Sequence, residues 1–232
     1  MISKMSKKAQ VTIYIIIAIV IVAGIVLLLI ATNRFPTIPI GKEQTPESFI
    51  ESCIEKNIND AIEIMLPQGG FVNPSDYKIY DDKRVAYLCK HEGYYQSCVM
   101  QHPALLNEMR QEVHDYSYPK IEQCFNQLKE ALESRQNLVK MSALTTDNVK
   151  IDFLPGKIRV DINRTVEITK NDATRKIEGF KIDIANPVYD IATVAIEIAN
   201  QEAKYCYFEY VGYMLLYPRF DVRKFAMSDP TK

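Results

Sequence analysis

An uncharged run of aliphatic residues near the start of the chain constrains the fold more than any other feature. No charged residue occurs between Gln10 and Asn33, and the 21 residues 11–31 are almost wholly aliphatic. A helix of that length spans about 31 Å, which matches a bilayer core of about 30 Å. A buried core helix would have a polar face, and a secretory signal has a shorter apolar stretch. The sequence therefore predicts a transmembrane helix over residues 11–32.

The basic residues beside this run predict its orientation. The lysines that precede it, with no acidic residue among them, are Lys4, Lys7 and Lys8. Only Arg34 and Lys42 follow it within a dozen positions. Because cytoplasmic flanks carry the excess of basic residues, the amino terminus is expected in the cytoplasm and the rest of the chain outside the cell membrane.

This orientation divides the chain into four parts. Residues 1–10 are expected to be a cytoplasmic basic tail, followed by the helix and by a proline-containing linker over 33–44. Residues 45–232 are expected to form one extracytoplasmic domain, which is within the usual size of a single folded unit. The chain has 28 Lys and Arg against 29 Asp and Glu, so it lacks the basic field that nucleic-acid binding requires.

Residues 45–140 are predicted to be mainly helical. Thr45-Pro46-Glu47 is typical of a helix start, and apolar residues then recur at helical spacing up to Met65. Residues 71–100 are expected to form short strands and turns. A second helix is predicted from Pro103, and Pro119 is expected to interrupt it and begin a third helix whose apolar face extends to Val139.

Residues 148–185 carry the clearest sheet pattern. Apolar and polar residues alternate on both sides of the turn at Pro155-Gly156, and again after the turn at Asn171-Asp172. A change of parity at Gly179 predicts a β-bulge. One helix is predicted over 188–217. The expected fold class is thus α+β: a transmembrane helix followed by an antiparallel β-meander packed with several helices on one side.

The five cysteines all lie in the part expected outside the cell, where disulfides persist. We expect Cys89 to pair with Cys98 as a hairpin clip and Cys53 to pair with Cys124 between two helices. Reduced cysteines buried in the core are the alternative. Cys206 is expected to remain unpaired or to join another subunit.

No residue pattern predicts catalysis. The nucleophile elbow, the phosphate-binding glycine loop and the zinc-protease helix are all missing from the sequence. The three histidines, His91, His102 and His114, fit no standard zinc spacing with the cysteines. We therefore expect a protein that is not an enzyme and that binds neither a cofactor nor a metal ion.

Aromatic residues give a stronger indication of a binding role. Tyr94 and Tyr95 lie in the loop between Cys89 and Cys98, and tyrosines occur on more than one side of the last predicted helix. Because core packing uses only part of a helix circumference, some of these rings are expected to form a contact surface. The tyrosines assigned to it are Tyr94, Tyr95, Tyr207, Tyr210 and Tyr213. Partial burial of the rings against the sheet is the alternative.

Asn163-Arg164-Thr165 is an N-glycosylation sequon. Such a motif fits an exterior location, although short motifs of this kind also arise by chance. Asn163 is therefore a candidate glycosylation site.

The start of the chain resembles the class III signal of archaeal type IV pilins and archaellins. The resemblance rests on Lys7-Lys8-Ala9-Gln10-Val11-Thr12, which leads directly into the apolar run. It implies cleavage by a prepilin-type peptidase after Ala9, which would leave Gln10 as the first residue. The chain departs from the pattern at Tyr14, where many pilins carry a glutamate.

Three later segments resemble an uncharacterised group of membrane-anchored proteins from small-genome archaea. These segments are residues 48–54, 67–72 and 85–87. The resemblance implies a membrane-anchored topology and an archaeal source, and it implies no activity.

Three functions remain open at this point. The leading hypothesis is a non-catalytic membrane-anchored protein that serves envelope structure or partner contact. The second is a pilin-like filament subunit processed after Ala9. The third is a receptor or solute-binding ectodomain, which predicts a large pocket between the sheet and the last helix. The expected partners are the lipid bilayer and a protein partner or a second copy.

Overall fold

A computed structural model of the protein describes residues 45–93 and 96–223. The helices of these residues are α1 (Pro46–Met65), α2 (Leu105–Glu133), α3 (Val188–Tyr205) and α4 (Tyr210–Leu216). None of them has both the length and the apolar character needed to cross a bilayer. The predicted cytoplasmic tail, transmembrane helix and linker lie outside the described residues.

The strands form three antiparallel sheets in this part of the chain. The two hairpins are β1 (Tyr77–Tyr80) with β2 (Lys83–Ala86), and β3 (Cys89–Lys90) with β4 (Val99–Met100). The main sheet has four strands: β5 (Leu138–Met141), β6 (Val149–Leu154), β7 (Lys157–Lys170) and β8 (Ala173–Ala185). The architecture is therefore α+β with antiparallel sheets, as the sequence predicted.

The long strand β7 lies at the centre of the main sheet. Along its whole length it pairs with β8. Its other edge pairs first with β6 and then with β5. Alternate residues are buried along β6, β7 and β8, so one face of the sheet packs on the core.

The core lies between this face and the helices α1 and α2. Helix α1 buries Ile50, Ile54 and Ile58 completely, as its apolar spacing predicted. The ring of Phe125 on α2 meets the ring of Phe180 on β8 edge to face, with centroids 5.2 Å apart. Each fully buried Ile or Phe contributes roughly 1.5–3 kcal/mol of hydrophobic stabilisation.

Helix α2 is continuous through Pro119, so the prediction that a new helix begins there is wrong. A proline removes the hydrogen bond to the carbonyl group four residues earlier, which here belongs to Asp115. Both Pro119 and Asp115 are exposed, so water can reach this carbonyl group. The buried stripe of α2 continues past this point, from Val113 to Ile121. Packing of that stripe on the core therefore keeps the helix continuous past Pro119.

The third predicted helix also ends earlier than expected. Helix α2 stops at Glu133, and Val139 lies on strand β5, where it pairs with Ile168. Gln136 adopts a left-handed backbone conformation between the two elements, with φ 63°. Val139 is buried on this edge strand. The sequence pattern had assigned it to the apolar face of a helix.

Both predicted cysteine pairs lie at disulfide distance. Cys53 on α1 and Cys124 on α2 have Cα atoms 6.1 Å apart, and Cys89 on β3 and Cys98 are 5.4 Å apart. The first pair links the two core helices, and the second closes the β3–β4 hairpin. Cys206 is exposed and unpaired among the cysteines of the described residues.

Candidate contact surface

The last predicted helix is divided into two helices, so the prediction of one helix over 188–217 is wrong. Helix α3 ends at Tyr205 because Cys206 adopts the left-handed conformation, with φ 54°. Helix α4 begins after Glu209, whose carboxylate accepts a hydrogen bond from the Gly212 amide at 3.3 Å. Residues 206–209 therefore interrupt the helix that the apolar pattern predicted as continuous.

An aromatic cluster holds α4 in place. Phe208 is buried, and the ring of Tyr213 lies 5.4 Å from it, 4.8 Å from Tyr217 and 6.3 Å from Phe220, measured between centroids. The Val222 amide also donates to the Met214 sulfur at 3.3 Å. One side of α4 is thus packed against its own flanking segments.

Large apolar side chains on and around α4 are exposed to solvent. Leu215 is 80% exposed and Leu216 is 76% exposed. Four more residues close in sequence are also exposed, and the complete set is Tyr205, Tyr207, Val211, Leu215, Leu216 and Tyr217. We call these six residues the C-terminal apolar surface. Single exposed apolar residues are ordinary, whereas six of them within 13 positions of the chain make a candidate interaction site.

Two phenol groups on and near α4, those of Tyr207 and Tyr213, stay protonated above the ordinary tyrosine range. The Tyr207 hydroxyl donates to the Glu209 carboxylate, and this hydrogen bond raises the pKa of Tyr207. Burial raises the pKa of Tyr213. Both rings therefore act as neutral, partly apolar groups with a hydroxyl donor, which suits protein interfaces.

The start of α1 and the segment after α4 lie near opposite ends of strand β8. At the start of α1, Glu47 forms an ion pair of 2.6 Å with Arg175, near the start of β8. Helix α3 begins just after the other end of β8, and Arg219, which follows α4, bonds to Asp190 in the first turn of α3 at 3.1 Å. The 13 residues of β8 cover roughly 40 Å.

The disulfide-closed hairpin supports the helix next to this surface. Strands β3 and β4 both contact α3. Cys98, at the end of the clip, is buried. This hairpin is short and has few hydrogen bonds of its own. The disulfide therefore helps to hold it against α3.

The predicted contact tyrosines have different positions in the structure. Tyr207 is exposed on the C-terminal apolar surface, whereas Tyr210 and Tyr213 are half-buried. Tyr94 and Tyr95 lie outside the described residues. The sequence reasoning missed the two most exposed leucines, although a Leu-Leu pair placed just before Pro218 was the signal that could have identified them.

The histidines have separate polar partners. His102 bonds to Glu108 at 2.5 Å, His91 to the Gln96 carbonyl oxygen at 3.0 Å, and His114 to Asp115 at 3.1 Å. In residues 45–93 and 96–223, no three His, Cys, Asp or Glu side chains are grouped so that they could hold a metal ion.

Two grooves lie on other faces of the domain. One, of about 640 Å³, follows the polar face of the sheet beside the bulge, and the other, of about 540 Å³, lies between α2 and β6. Neither is lined by residues of α3 or α4. Both grooves are therefore separate from the C-terminal apolar surface.

Comparison with known proteins finds no matching family model, no similar curated protein and no similar solved structure.

Proposed function

We propose that this chain is a non-catalytic, single-pass membrane-anchored protein that contacts a protein partner through its C-terminal apolar surface. The observation that carries the proposal is the exposure of six large apolar side chains on and around α4. Leaving this much apolar surface in water costs free energy, which a partner would recover by covering it.

Two features support a location outside the cytoplasm. The uncharged run of residues 11–31 is long enough to span a bilayer, with the excess of lysines on its amino-terminal side. The two cysteine pairs at disulfide distance fit an oxidising compartment. The proposed arrangement is an N-terminus in the cytoplasm and the main domain outside the cell membrane.

A protein fits the C-terminal apolar surface better than the other partner classes. Tyrosines with exposed rings are enriched in protein interfaces, and the grooves that could take a solute lie elsewhere. The net charge of −1 disfavours nucleic acid.

Photo-crosslinking in native membranes tests the proposal. A photoreactive amino acid in place of Tyr217, in the full-length chain, is expected to capture one discrete protein partner. The double variant Leu215→Ser, Leu216→Ser is expected to weaken this contact by about tenfold or more, because two apolar side chains leave the interface.

The matched control is Ile79→Ser on strand β1, since Ile79 is 66% exposed and lies outside the C-terminal apolar surface. It is expected to leave the crosslinked product unchanged. Equal crosslinking in the double variant and in the control, or no discrete product in either chain, would contradict the proposal. The mass of the product distinguishes a second copy from a different protein.

A second candidate is a pilin-like filament subunit, and the Lys7-Lys8-Ala9-Gln10 segment favours it. In this case the apolar helix would leave the membrane and pack in a filament core. Mass spectrometry of the native protein is expected to show Gln10 as the first residue. An intact amino terminus would argue against this candidate and leave the anchored protein.

A further inference from the structure

The sequon Asn163-Arg164-Thr165 lies at the bulge of β7. Ile162 pairs with Phe180 and the next pair is Thr165 with Glu178, so Asn163 and Arg164 together face Gly179. The register shift thereby places the sequon where the regular ladder is interrupted.

The regular alternation of β7 places the first two sequon residues on opposite faces of the sheet. Arg164 is buried: its guanidinium lies 4.6 Å from the centroid of the Phe125 ring, and its Nε donates to the Ser142 carbonyl oxygen at 3.0 Å. Asn163 is exposed on the polar face. The buried arginine therefore fixes the side on which Asn163 meets solvent.

Asn163 also lines the groove of about 640 Å³ on this face, together with polar and charged residues that include Asp161, Asn148, Glu178 and Lys181. Such side chains can exchange hydrogen bonds with the hydroxyl groups of a sugar, and apolar parts of the lining can pack against its ring.

We propose that Asn163 carries an N-linked glycan whose first sugars lie in this groove. The inference rests on the proposed function, because glycan transfer of this kind takes place outside the cytoplasm. Asn163 meets the requirement of exposure, and the residue between it and Thr165 is not proline.

The transfer needs a glycan donor linked to a lipid phosphate and a transferase. The Asn163 Nδ2 atom bonds to the anomeric carbon of the first sugar while the bond from that carbon to the phosphate oxygen breaks. The proton lost from Nδ2 leaves with the lipid phosphate. No oxidant or reductant takes part.

Mass spectrometry of the full-length chain from native membranes tests the modification. The peptide that contains Asn163 is expected to carry added glycan mass. Asn163→Gln and Thr165→Ala are expected to lose this mass, whereas Thr165→Ser, which keeps the sequon, is expected to retain it. An unmodified native peptide would overturn the inference.

Labelling with a membrane-impermeant amine reagent separates this inference from the proposed function. Lys83, exposed on β2, is expected to react on intact spheroplasts. Reaction of Lys83 together with an unmodified Asn163 would refute the glycan and leave the outer location. A Lys83 that reacts only after lysis would refute the location, and the glycan with it.

The same reagent tests the position of the sugars. Lys181 lines the groove and is exposed on β8. Its reactivity relative to Lys83 is expected to rise in Asn163→Gln, because the glycan no longer covers it. Equal relative reactivity in both chains would show that the sugars lie outside the groove and would overturn that part of the inference.

Discussion

Gly179 allows β8 to pass the bulge of β7. Its φ is +76°, and a Cβ atom there would lie 3.3 Å from the Ile162 carbonyl oxygen. Gly156, in the turn between β6 and β7, has φ +73° but no atom within 4 Å of such a Cβ. The two glycines therefore share a left-handed backbone conformation, which would be strained for any other residue, and differ in their surroundings.

We expect Gly179→Ala to destabilise the domain by more than Gly156→Ala. Each variant is expected to lose about 1–2 kcal/mol of unfolding free energy, because alanine is strained in the left-handed conformation. Only Gly179→Ala adds a close contact with a backbone atom. Urea unfolding of the two variants measures the difference. Equal unfolding midpoints would show that the sheet relaxes around the new methyl group.

Asp183 is the centre of an exposed charge cluster on the polar face of the sheet. Arg159 Nε donates to it at 2.8 Å and Lys157 Nζ at 2.6 Å. The hydrogen bond from Arg159, followed by that from Lys157, holds the pKa of Asp183 well below its usual range. The stabilisation is therefore present above the unfolded-state pKa of about 3.9 and is lost as the pH falls through the lower folded-state pKa.

Asp183→Asn is expected to lower stability at pH 6 and to lose this effect in acid. The difference in unfolding free energy between wild type and variant should shrink as the pH falls below about 4. It should also shrink in high salt, because the cluster is exposed. Urea titrations across pH measure it, and a difference that stays constant with pH would contradict the assignment.

At the level of elements, the Cys53–Cys124 pair joins two helices that are far apart in sequence. Its separation is 71 residues, against 9 for Cys89–Cys98. In the chain-entropy model the disulfide that closes the longer loop stabilises the folded domain by about 4.4 kcal/mol, and the one that closes the shorter loop by about 2.7 kcal/mol. The core crosslink should therefore matter more to the stability of the domain than the hairpin clip.

Paired serine substitutions test this order. Cys53→Ser with Cys124→Ser is expected to lower the unfolding midpoint more than Cys89→Ser with Cys98→Ser. Cys206→Ser is the control, since Cys206 is exposed and unpaired among the cysteines of the described residues, and should leave the midpoint unchanged. A larger loss from the hairpin pair would mean that packing against α3 outweighs chain entropy.

At the level of the whole molecule, the proposed anchor and the C-terminal apolar surface belong to separate segments of the chain. The uncharged run of residues 11–31 precedes α1, and the exposed leucines lie on α4. We therefore expect anchoring and partner contact to be separable.

Membrane extraction tests that separation. The full-length chain is expected to stay in membranes washed with alkaline carbonate, because residues 11–31 supply an apolar span of bilayer length. Leu215→Ser with Leu216→Ser should remain equally membrane-bound. Release of the wild-type chain by the wash would contradict the anchor, and release of the double variant alone would place the leucines in the membrane.

The amino-acid sequence by itself determined features that depend on local periodicity. The buried face of α1, the alternation along β6 to β8, the bulge opposite Gly179 and both cysteine pairs were predicted and are present. The helix face and the strand alternation follow from the spacing of apolar side chains. The bulge and the disulfides follow from glycine and cysteine, which have few other roles in these patterns. The exposure of Asn163 also follows once the parity of β7 is known.

Where local patterns compete, only the tertiary structure decided which element a residue joins. Pro119 lies within α2 because the buried stripe on both sides of it packs on the core. Val139 belongs to β5 because β7 offers it a strand partner. The apolar residues after Cys206 look alike in sequence, yet Phe208 is buried while Leu215 and Leu216 are exposed. Which of them find partners depends on contacts between segments distant in sequence, and no local period encodes those contacts.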